Sequence, residues 1–160
     1  MNCQLKSLHV LDLAHNNLSG IIPRYFSAMT TTPDVYKVLL MYDTYLDNVK
    51  LVTKGREAEY GWIMLRLVVI MDLSENMISG EIPEELTSLR GLQSLNLSKN
   101  LLTRRIPSEL VNMKWLESVD LSMNQLDGWI PQSTRSLTFL INLNLSYNNL
   151  TGEIPKSTQL

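Results

Sequence analysis

Residues 137–155 read LTFLINLNLSYNNLTGEIP, and this stretch decides the fold of the chain. Its leucines stand at Leu137, Leu140, Leu143, Leu145 and Leu150. Asn148 follows the fourth of them by three residues, and Gly-Glu-Ile-Pro closes the stretch. The spacing fits neither the period of an amphipathic helix nor the two-residue period of a half-buried strand. It fits a coil that returns to the same place once per turn, so the sequence predicts a repeating architecture.

The same pattern occurs five times along the chain. Its asparagine recurs every 24 residues at Asn76, Asn100, Asn124 and Asn148, and a fifth copy is centred on Asn16. The element L-x-x-L-x-L-x-x-N-x-L is the signature of leucine-rich repeats. Its continuation, L-[ST]-G-x-I-P, resembles the plant-specific subclass of these repeats. One such turn cannot bury its apolar face alone, so it must stack on neighbouring turns.

We therefore predict an α/β-class repeat solenoid, a right-handed plant-type leucine-rich-repeat horseshoe with short parallel strands and a convex side of 3₁₀ or irregular segments. In each L-x-L segment the leucines point into the core and their neighbours point to the concave face. Each repeat asparagine is expected to turn inward and bind backbone groups that the bend leaves unpaired. Arg104 replaces the glycine found near the end of the other turns. If that position needs a positive φ, an arginine there costs about 1 kcal/mol or more.

One insertion breaks the register of the repeats. The 24-residue spacing places the second repeat near residue 29, whereas the pattern resumes at Leu65. The sequence thus predicts repeat 1 over residues 1–29, an island over residues 30–64, and repeats 2–5 over residues 65–160, with all repeats in one solenoid. Long insertions are usually functional or disordered, and the apolar, aromatic run VYKVLLMY favours order.

Two secondary-structure elements are expected within the island. Thr32-Pro33 is typical of a helix start, and a helix there has Val35, Val38, Leu39, Tyr42 and Val49 along one face. Lys50–Lys54 is typical of a strand instead.

The island resembles that of plant receptor-like proteins. It interrupts the repeats four turns before the end and closes with KLVTKGREAEYG. Many members carry a tyrosine, eight residues and then Lys-Gly, and this chain has Tyr45 followed at that spacing by Lys54 and Gly55. The repeats that follow, beginning MDLSENMISGEIPEELTSL, are also similar to the family's, so the resemblance covers essentially the whole chain.

The resemblance implies a cell-surface immune or developmental receptor, on the extracellular face of the plasma membrane, with no kinase of its own. Its expected partners are an extracellular protein or peptide ligand and the ectodomain of a co-receptor kinase. Ligand contacts are expected in the island, at Tyr42, Tyr45, Lys54, Gly55 and Tyr60. The alternative is that Tyr45 and Lys54 only hold the island against the coil.

Partner contacts are expected on the concave face, at Asp72, Glu75, Asp120, Met123, Asn144 and Tyr147. This face is mixed and mildly acidic, which suits a protein or peptide partner better than catalysis. The alternative is a solvated sheet face without a partner.

Four N-x-[ST] sequons are present, at Asn17, Asn96, Asn144 and Asn149. The repeat consensus generates such sequons easily, so their presence does not by itself indicate secretion. Glycans on Asn96 and Asn144 would stand on the concave face and exclude a partner, whereas Asn17 and Asn149 follow repeat asparagines and are expected to obstruct less.

Several functional classes are disfavoured by the composition. The net charge of −2 and the unclustered basic residues give no reason to expect nucleic acid. The longest apolar run is too short to span a bilayer. No P-loop, G-x-S-x-G, HExxH or kinase motif is present, so we expect no enzyme and no cofactor. His9 and His15 have no ligand cluster beside them in the sequence, so we expect no metal site.

The ends of the sequence suggest a piece, or a truncated product, of a longer protein. No signal peptide precedes the first repeat, and the single Cys3 excludes an internal disulfide. The cysteine-stapled caps usual in extracellular members are missing at both ends. A complete small protein is the alternative.

Three other functions stay open. A secreted inhibitor of a pathogen wall-degrading enzyme also uses plant-type repeats, but such inhibitors have uninterrupted repeats, and the island argues against this reading. A truncated, non-functional receptor relic is favoured by the missing signal, caps and membrane span. A small-molecule receptor is conceivable because some receptor kinases with related islands bind steroids, and it would require a dry aromatic groove beside the island.

Overall fold

The computed structural model describes residues 8–25, 48–53, 56–61 and 69–156. In chain order its strands are β1 (Val10–Asp12), β2 (Ser19–Ile21), β3 (Asn48–Thr53), β4 (Arg56–Gly61), β5 (Ile70–Asp72), β6 (Met77–Gly80), β7 (Ser94–Asn96), β8 (Leu101–Arg104), β9 (Ser118–Asp120), β10 (Gln125–Trp129), β11 (Asn142–Asn144) and β12 (Asn149–Thr151). Two parallel sheets run along the coil, in the orders β1-β5-β7-β9-β11 and β12-β10-β8-β6-β2. The predicted leucine-rich-repeat solenoid is confirmed.

The first sheet carries the L-x-L segments. Met71 pairs with Leu95 and Leu95 with Val119, so each step along the sheet is one 24-residue turn. All three side chains are fully buried, in agreement with the inward direction expected from the pattern. The first turn joins the same sheet, because Leu11 pairs with Met71 in parallel. The long connection between them therefore leaves the stacking of turns unbroken.

The repeat asparagines bind neighbouring turns together. Asn100 Nδ2 donates to the carbonyls of Leu97 and Ser98 in its own turn and to that of Leu73 in the preceding turn, the last at 2.9 Å. Its Oδ1 accepts the N–H of Ile78 at 3.0 Å. The same four contacts recur at Asn76, Asn124 and Asn148. The inward orientation expected of these asparagines is confirmed, and the reason is that the bend exposes backbone groups that need partners.

The second sheet forms where each turn bends toward the convex side. Gly128 has a φ of 77°, and a Cβ added there would lie 3.0 Å from the Arg105 Cγ of the preceding turn. Both the positive φ and the close approach favour glycine at this position. Arg104 takes the same conformation with a φ of 69°. The expectation that this arginine occupies a position suited to glycine is thus confirmed.

Among the described residues, the convex side carries short 3₁₀ helices at Glu84–Ser88, Ser108–Asn112 and Gln132–Ser136. Each follows a proline whose ring fixes φ for the turn, with a φ of −69° at Pro83. Each is too short to form a layer of its own. Leu86 and Leu110 nevertheless reach the core from this side, so the convex segments close the interior of the coil.

A two-stranded antiparallel hairpin, β3–β4, lies within the predicted island. Its six pairs run from Asn48 opposite Gly61 to Thr53 opposite Arg56. The strand expected from Lys50 is confirmed as far as Thr53. Val49 was assigned to a helical face, and this is wrong, because Val49 pairs with Tyr60 in the hairpin. A β-branched residue favours a strand once an antiparallel partner is available. The rest of the expected helix lies outside the described residues.

Candidate functional site

A row of polar side chains crosses the concave face, one from each turn. We call it the polar row, and its members are Asp12, Asp72, Asn96, Asp120 and Asn144. In every turn the Oδ1 atom accepts the backbone N–H of the residue two positions later. Such Asx contacts fix the side chain against its own backbone.

Hydrogen bonds between turns make the polar row more rigid. Asn96 Nδ2 donates to Asp72 Oδ2 at 2.9 Å, and Asn144 Nδ2 donates to Asp120 Oδ2 at 3.0 Å. Asp72 is only 3% exposed. Its carboxylate is therefore bound by its neighbours in the row, and it presents little surface to a partner.

A second set of residues lies three positions after the polar row in each turn. We call it the left-handed column, and its members are His15, Glu75, Lys99, Met123 and Tyr147. All five are non-glycine residues with φ between 53° and 55°. Met123 is 48% exposed and Tyr147 is 80% exposed. The backbone of each turn therefore adopts an unfavourable left-handed conformation at this position, and the side chains are left open to solvent.

The left-handed column is charged at one end and apolar at the other. The Glu75 carboxylate contacts His15 Nδ1 at 2.6 Å and Lys99 Nζ at 2.5 Å. The hydrogen bond from Lys99, followed by that from His15, holds the pKa of Glu75 below its usual value. At the other end, Met123 and Tyr147 make the column apolar in the last two turns.

A second apolar group lies before the strands of the same two turns. The rings of Trp115 and Phe139 are stacked, with centroids 5.7 Å apart and planes 7° from parallel. Ile141, just before β11, is 73% exposed. Met123 and Tyr147 follow β9 and β11 in the chain, so exposed apolar residues come both before and after these two strands. We call this set the apolar rim, comprising Trp115, Phe139, Ile141, Met123 and Tyr147.

The structure separates the residues predicted for partner binding into two kinds. Met123 and Tyr147 are open, whereas Asp120 and Asn144 bind each other in the polar row. Glu75 lies two turns from Met123, in the ion pairs. Sequence reasoning did not select Trp115 and Phe139. The sequence nevertheless contains a sign of this pair, because an aromatic residue directly precedes the L-x-x-L-x-L element in two successive turns.

The predicted ligand contacts of the island are placed only in part. Tyr60 lies in β4, opposite Val49. The other four, Tyr42, Tyr45, Lys54 and Gly55, lie outside the described residues. The role of all five stays a prediction.

Neither a metal-binding group nor a membrane-spanning helix is found among the described residues. No group of three or more His, Cys, Asp or Glu residues among them is arranged to hold a metal ion. Over the same residues, no helix combines the length and the apolarity that crossing a bilayer requires.

The chain belongs to the leucine-rich repeat family. The family model for the Leucine Rich Repeat matches residues 7–29, 68–89, 91–113, 115–137 and 139–159, which is more than half of the chain. The resemblance to plant receptor-like proteins is also confirmed by similar proteins. Receptor-like protein 32 of Arabidopsis thaliana is 40% identical over 96 residues, covering 54% of this chain and 11% of that protein. The chain thus spans about a tenth of that relative's length.

Solved structures with the same architecture include plant receptor ectodomains. The crystal structure of PEPR1 with AtPEP1 matches with a TM-score of 0.67 and 30% identity, over 93% of this chain and 16% of that one. The Arabidopsis receptor kinase HAESA, in complex with the peptide hormone IDA and the co-receptor SERK1, matches with a TM-score of 0.60 and 29% identity. That match covers 92% of this chain and 23% of HAESA.

Proposed function

We propose that this chain is a recognition module from the ectodomain of a plant cell-surface receptor, which binds an extracellular protein or peptide and pairs with a co-receptor kinase. The observation that carries the proposal is the apolar rim, whose exposed residues come before and after the strands of the polar row in the last two turns. The module acts by binding and has no catalytic role. In the longer protein it stands on the extracellular face of the plasma membrane.

The apolar rim has the composition of a binding hot spot. Aromatic residues and methionine are enriched at the centres of protein interfaces, and the aromatic side chains bury large areas at low cost in side-chain entropy. Four of the five rim residues are of these types. Isolated exposed apolar residues need no explanation, but five of them within two successive turns do. The rim therefore favours a protein partner over a solvated, unpartnered face.

The polar row complements the rim because its side chains are already ordered. Asp120 and Asn144 are held by their own turns and by each other. A partner that binds beside them orders no additional rotamers in the row, which lowers the entropic cost of association. Their remaining hydrogen-bonding capacity supplies directional contacts in the same two turns as the apolar rim.

The similar structures support both kinds of partner. PEPR1 was solved with AtPEP1, and HAESA with a peptide hormone and the co-receptor SERK1. The island supplies the second recognition element of the proposal, with Tyr42, Tyr45, Lys54, Gly55 and Tyr60 contacting the ligand. The hairpin β3–β4 supports this assignment by giving part of the island an ordered scaffold.

The test measures binding of the folded chain to the SERK1 ectodomain, with and without candidate peptide ligands. Met123→Ala is compared with Met77→Ala, because these methionines are 48% and 49% exposed and only Met123 lies in the rim. We expect Met123→Ala to weaken binding about fivefold and Tyr147→Asp to weaken it by tenfold or more, whereas Met77→Ala stays within about twofold. Equal effects of the two methionine substitutions would refute the assignment of the rim. A folded chain that binds none of these partners would refute the proposed function.

A further inference from the structure

The four glycosylation sequons fall into two structural classes. Asn96 and Asn144 are members of the polar row. Asn17 and Asn149 come directly after the inward-facing repeat asparagines Asn16 and Asn148. The sequence motif is the same in all four, so any difference between the classes comes from the fold.

In the polar row, the atoms that define the sequon are already engaged. Asn96 Nδ2, the atom that would carry a glycan, donates to Asp72 Oδ2 at 2.9 Å. Its Oδ1 accepts from both the backbone N–H and the hydroxyl of Ser98, at 3.1 and 2.8 Å. Asn144 has the corresponding contacts with Asp120 and Ser146. A sugar on either amide would crowd a closely packed row whose member Asp72 is almost fully buried.

The other two asparagines are free to carry a large group. Asn17 and Asn149 are exposed, and their side chains make no hydrogen bond to any other residue that the structure describes. Asn16 and Asn148 direct their amides at backbone carbonyls of their own turns, and the next residue therefore faces solvent. A glycan at these sites breaks no side-chain hydrogen bond within the described residues.

We propose that the folded protein carries N-glycans on Asn17 and Asn149 and none on Asn96 and Asn144. The inference rests on the proposed function, because attachment requires export through the secretory pathway. The two glycans stand four turns apart, roughly 20 Å at about 4.8 Å per turn. Asn149 begins β12 and Asn17 lies two residues before β2, so both glycans attach beside the second sheet and outside the polar row.

The experiment maps glycan occupancy on the whole chain, secreted from plant cells with an added export signal. Monomer and aggregate are separated by size, and each fraction is treated with a peptide N-glycosidase in ¹⁸O water, which marks every formerly glycosylated asparagine. We expect the marks on Asn17 and Asn149 in the monomer. A mark on Asn96 or Asn144 in a folded monomer overturns the proposal, and so does an unmarked Asn17 or Asn149.

Matched variants test whether the hydrogen bonds of the polar row decide which asparagines carry glycans. Ser98→Ala and Ser146→Ala remove two sequons but keep the amide bonds to Asp72 and Asp120, so the mass of the monomer should fall only by the lost oxygen atoms. Asn17→Gln and Asn149→Gln should each remove one glycan and leave Tm unchanged. If the secreted chain is recovered only as aggregate, the double serine variant should restore monomer. Persistence of that aggregate would overturn the proposal.

The outcomes are separate from those of the binding test. Glycans found on Asn96 or Asn144 of a chain that still binds through Tyr147 would overturn only the glycan assignment. The expected glycan pattern on a chain whose binding ignores the apolar rim would overturn only the proposed function.

Discussion

The polar row and the left-handed column lie three residues apart in the same turns, but their side chains have different roles. Asp120, in the row, accepts hydrogen bonds from its own turn and from Asn144 of the next. Tyr147, in the column, is 80% exposed. Exposure to the concave face is therefore not the same as availability for binding. The position within the repeat decides whether a side chain supports the coil or faces a partner.

The contrast also explains how the sequence varies along the coil. The polar row contains only Asp and Asn, because each turn needs a side-chain oxygen for the residue two positions later. The left-handed column changes from His, Glu and Lys to Met and Tyr. Its backbone conformation is kept through that change. Variation is concentrated where the coil makes no demand on the side chain.

The largest expected loss of stability follows from replacing one of the inward-facing repeat asparagines. Asn124→Ala removes three donated hydrogen bonds and leaves the N–H of Leu102 without its acceptor. We expect the free energy of unfolding to fall by about 3 kcal/mol or more, since buried backbone groups lose their partners. Chemical denaturation measures the change. Asn149→Ala is the control, because Asn149 is an exposed asparagine directly after the repeat asparagine Asn148, and an equal loss there would contradict the structural distinction.

The polar row should show the next largest effect. Asp120→Ala removes the acceptor of the Ser122 hydroxyl, the Ser122 N–H and the Asn144 amide, and we expect a loss of about 2 kcal/mol in the free energy of unfolding. Tyr147→Ala, in the column, should change it by less than about 0.5 kcal/mol. A row variant as stable as the column variant would remove the basis of the comparison.

A glycine at position 104 should stabilise the coil by a smaller amount. Arg104 has a φ of 69°, which glycine adopts without steric strain. We expect Arg104→Gly to raise the free energy of unfolding by about 1 kcal/mol. Arg105→Gly is the matched control, since Arg105 lies outside the left-handed positions and packs its guanidinium over Trp129 at 4.4 Å. Thermal denaturation of the two variants should shift in opposite directions.

The smallest effect belongs to the charged end of the left-handed column. The pKa of Glu75 is lowered in the folded state, so its contribution is present above the ordinary pKa of glutamate and is lost as pH falls through the lowered value. Lys99→Met should raise the pKa of Glu75 toward its ordinary value, as measured by NMR titration of the carboxyl carbon. His15→Gln should raise it by less, because Lys99 is the larger cause. An unchanged titration in the lysine variant would show that the ion pair does not form in solution.

Most of the fold could be predicted from the sequence because the same pattern of leucines and asparagine recurs five times. The repeat asparagines, the inward leucines and the glycine positions follow from local chemistry, and the exception at Arg104 was visible as a break in that pattern. The site was predicted less well. Asp72 was selected as an outward residue and proved almost fully buried, because its neighbours in adjacent turns cover it. Trp115 and Phe139 were not selected for partner binding, because each alone resembles an ordinary surface residue.

The sequence by itself determined the turn of this protein: its 24-residue length, its buried side chains and the asparagine that closes its bend. These are fixed within one turn, where the steric and hydrogen-bonding demands of the backbone act on nearby residues. Only the tertiary structure decided which residues of different turns meet. The amide of Asn96 reaches the carboxylate of Asp72, and Trp115 stacks on Phe139, each across 24 residues of chain. The stacking of turns sets these contacts, and it separates a structural row from a face that is open to a partner.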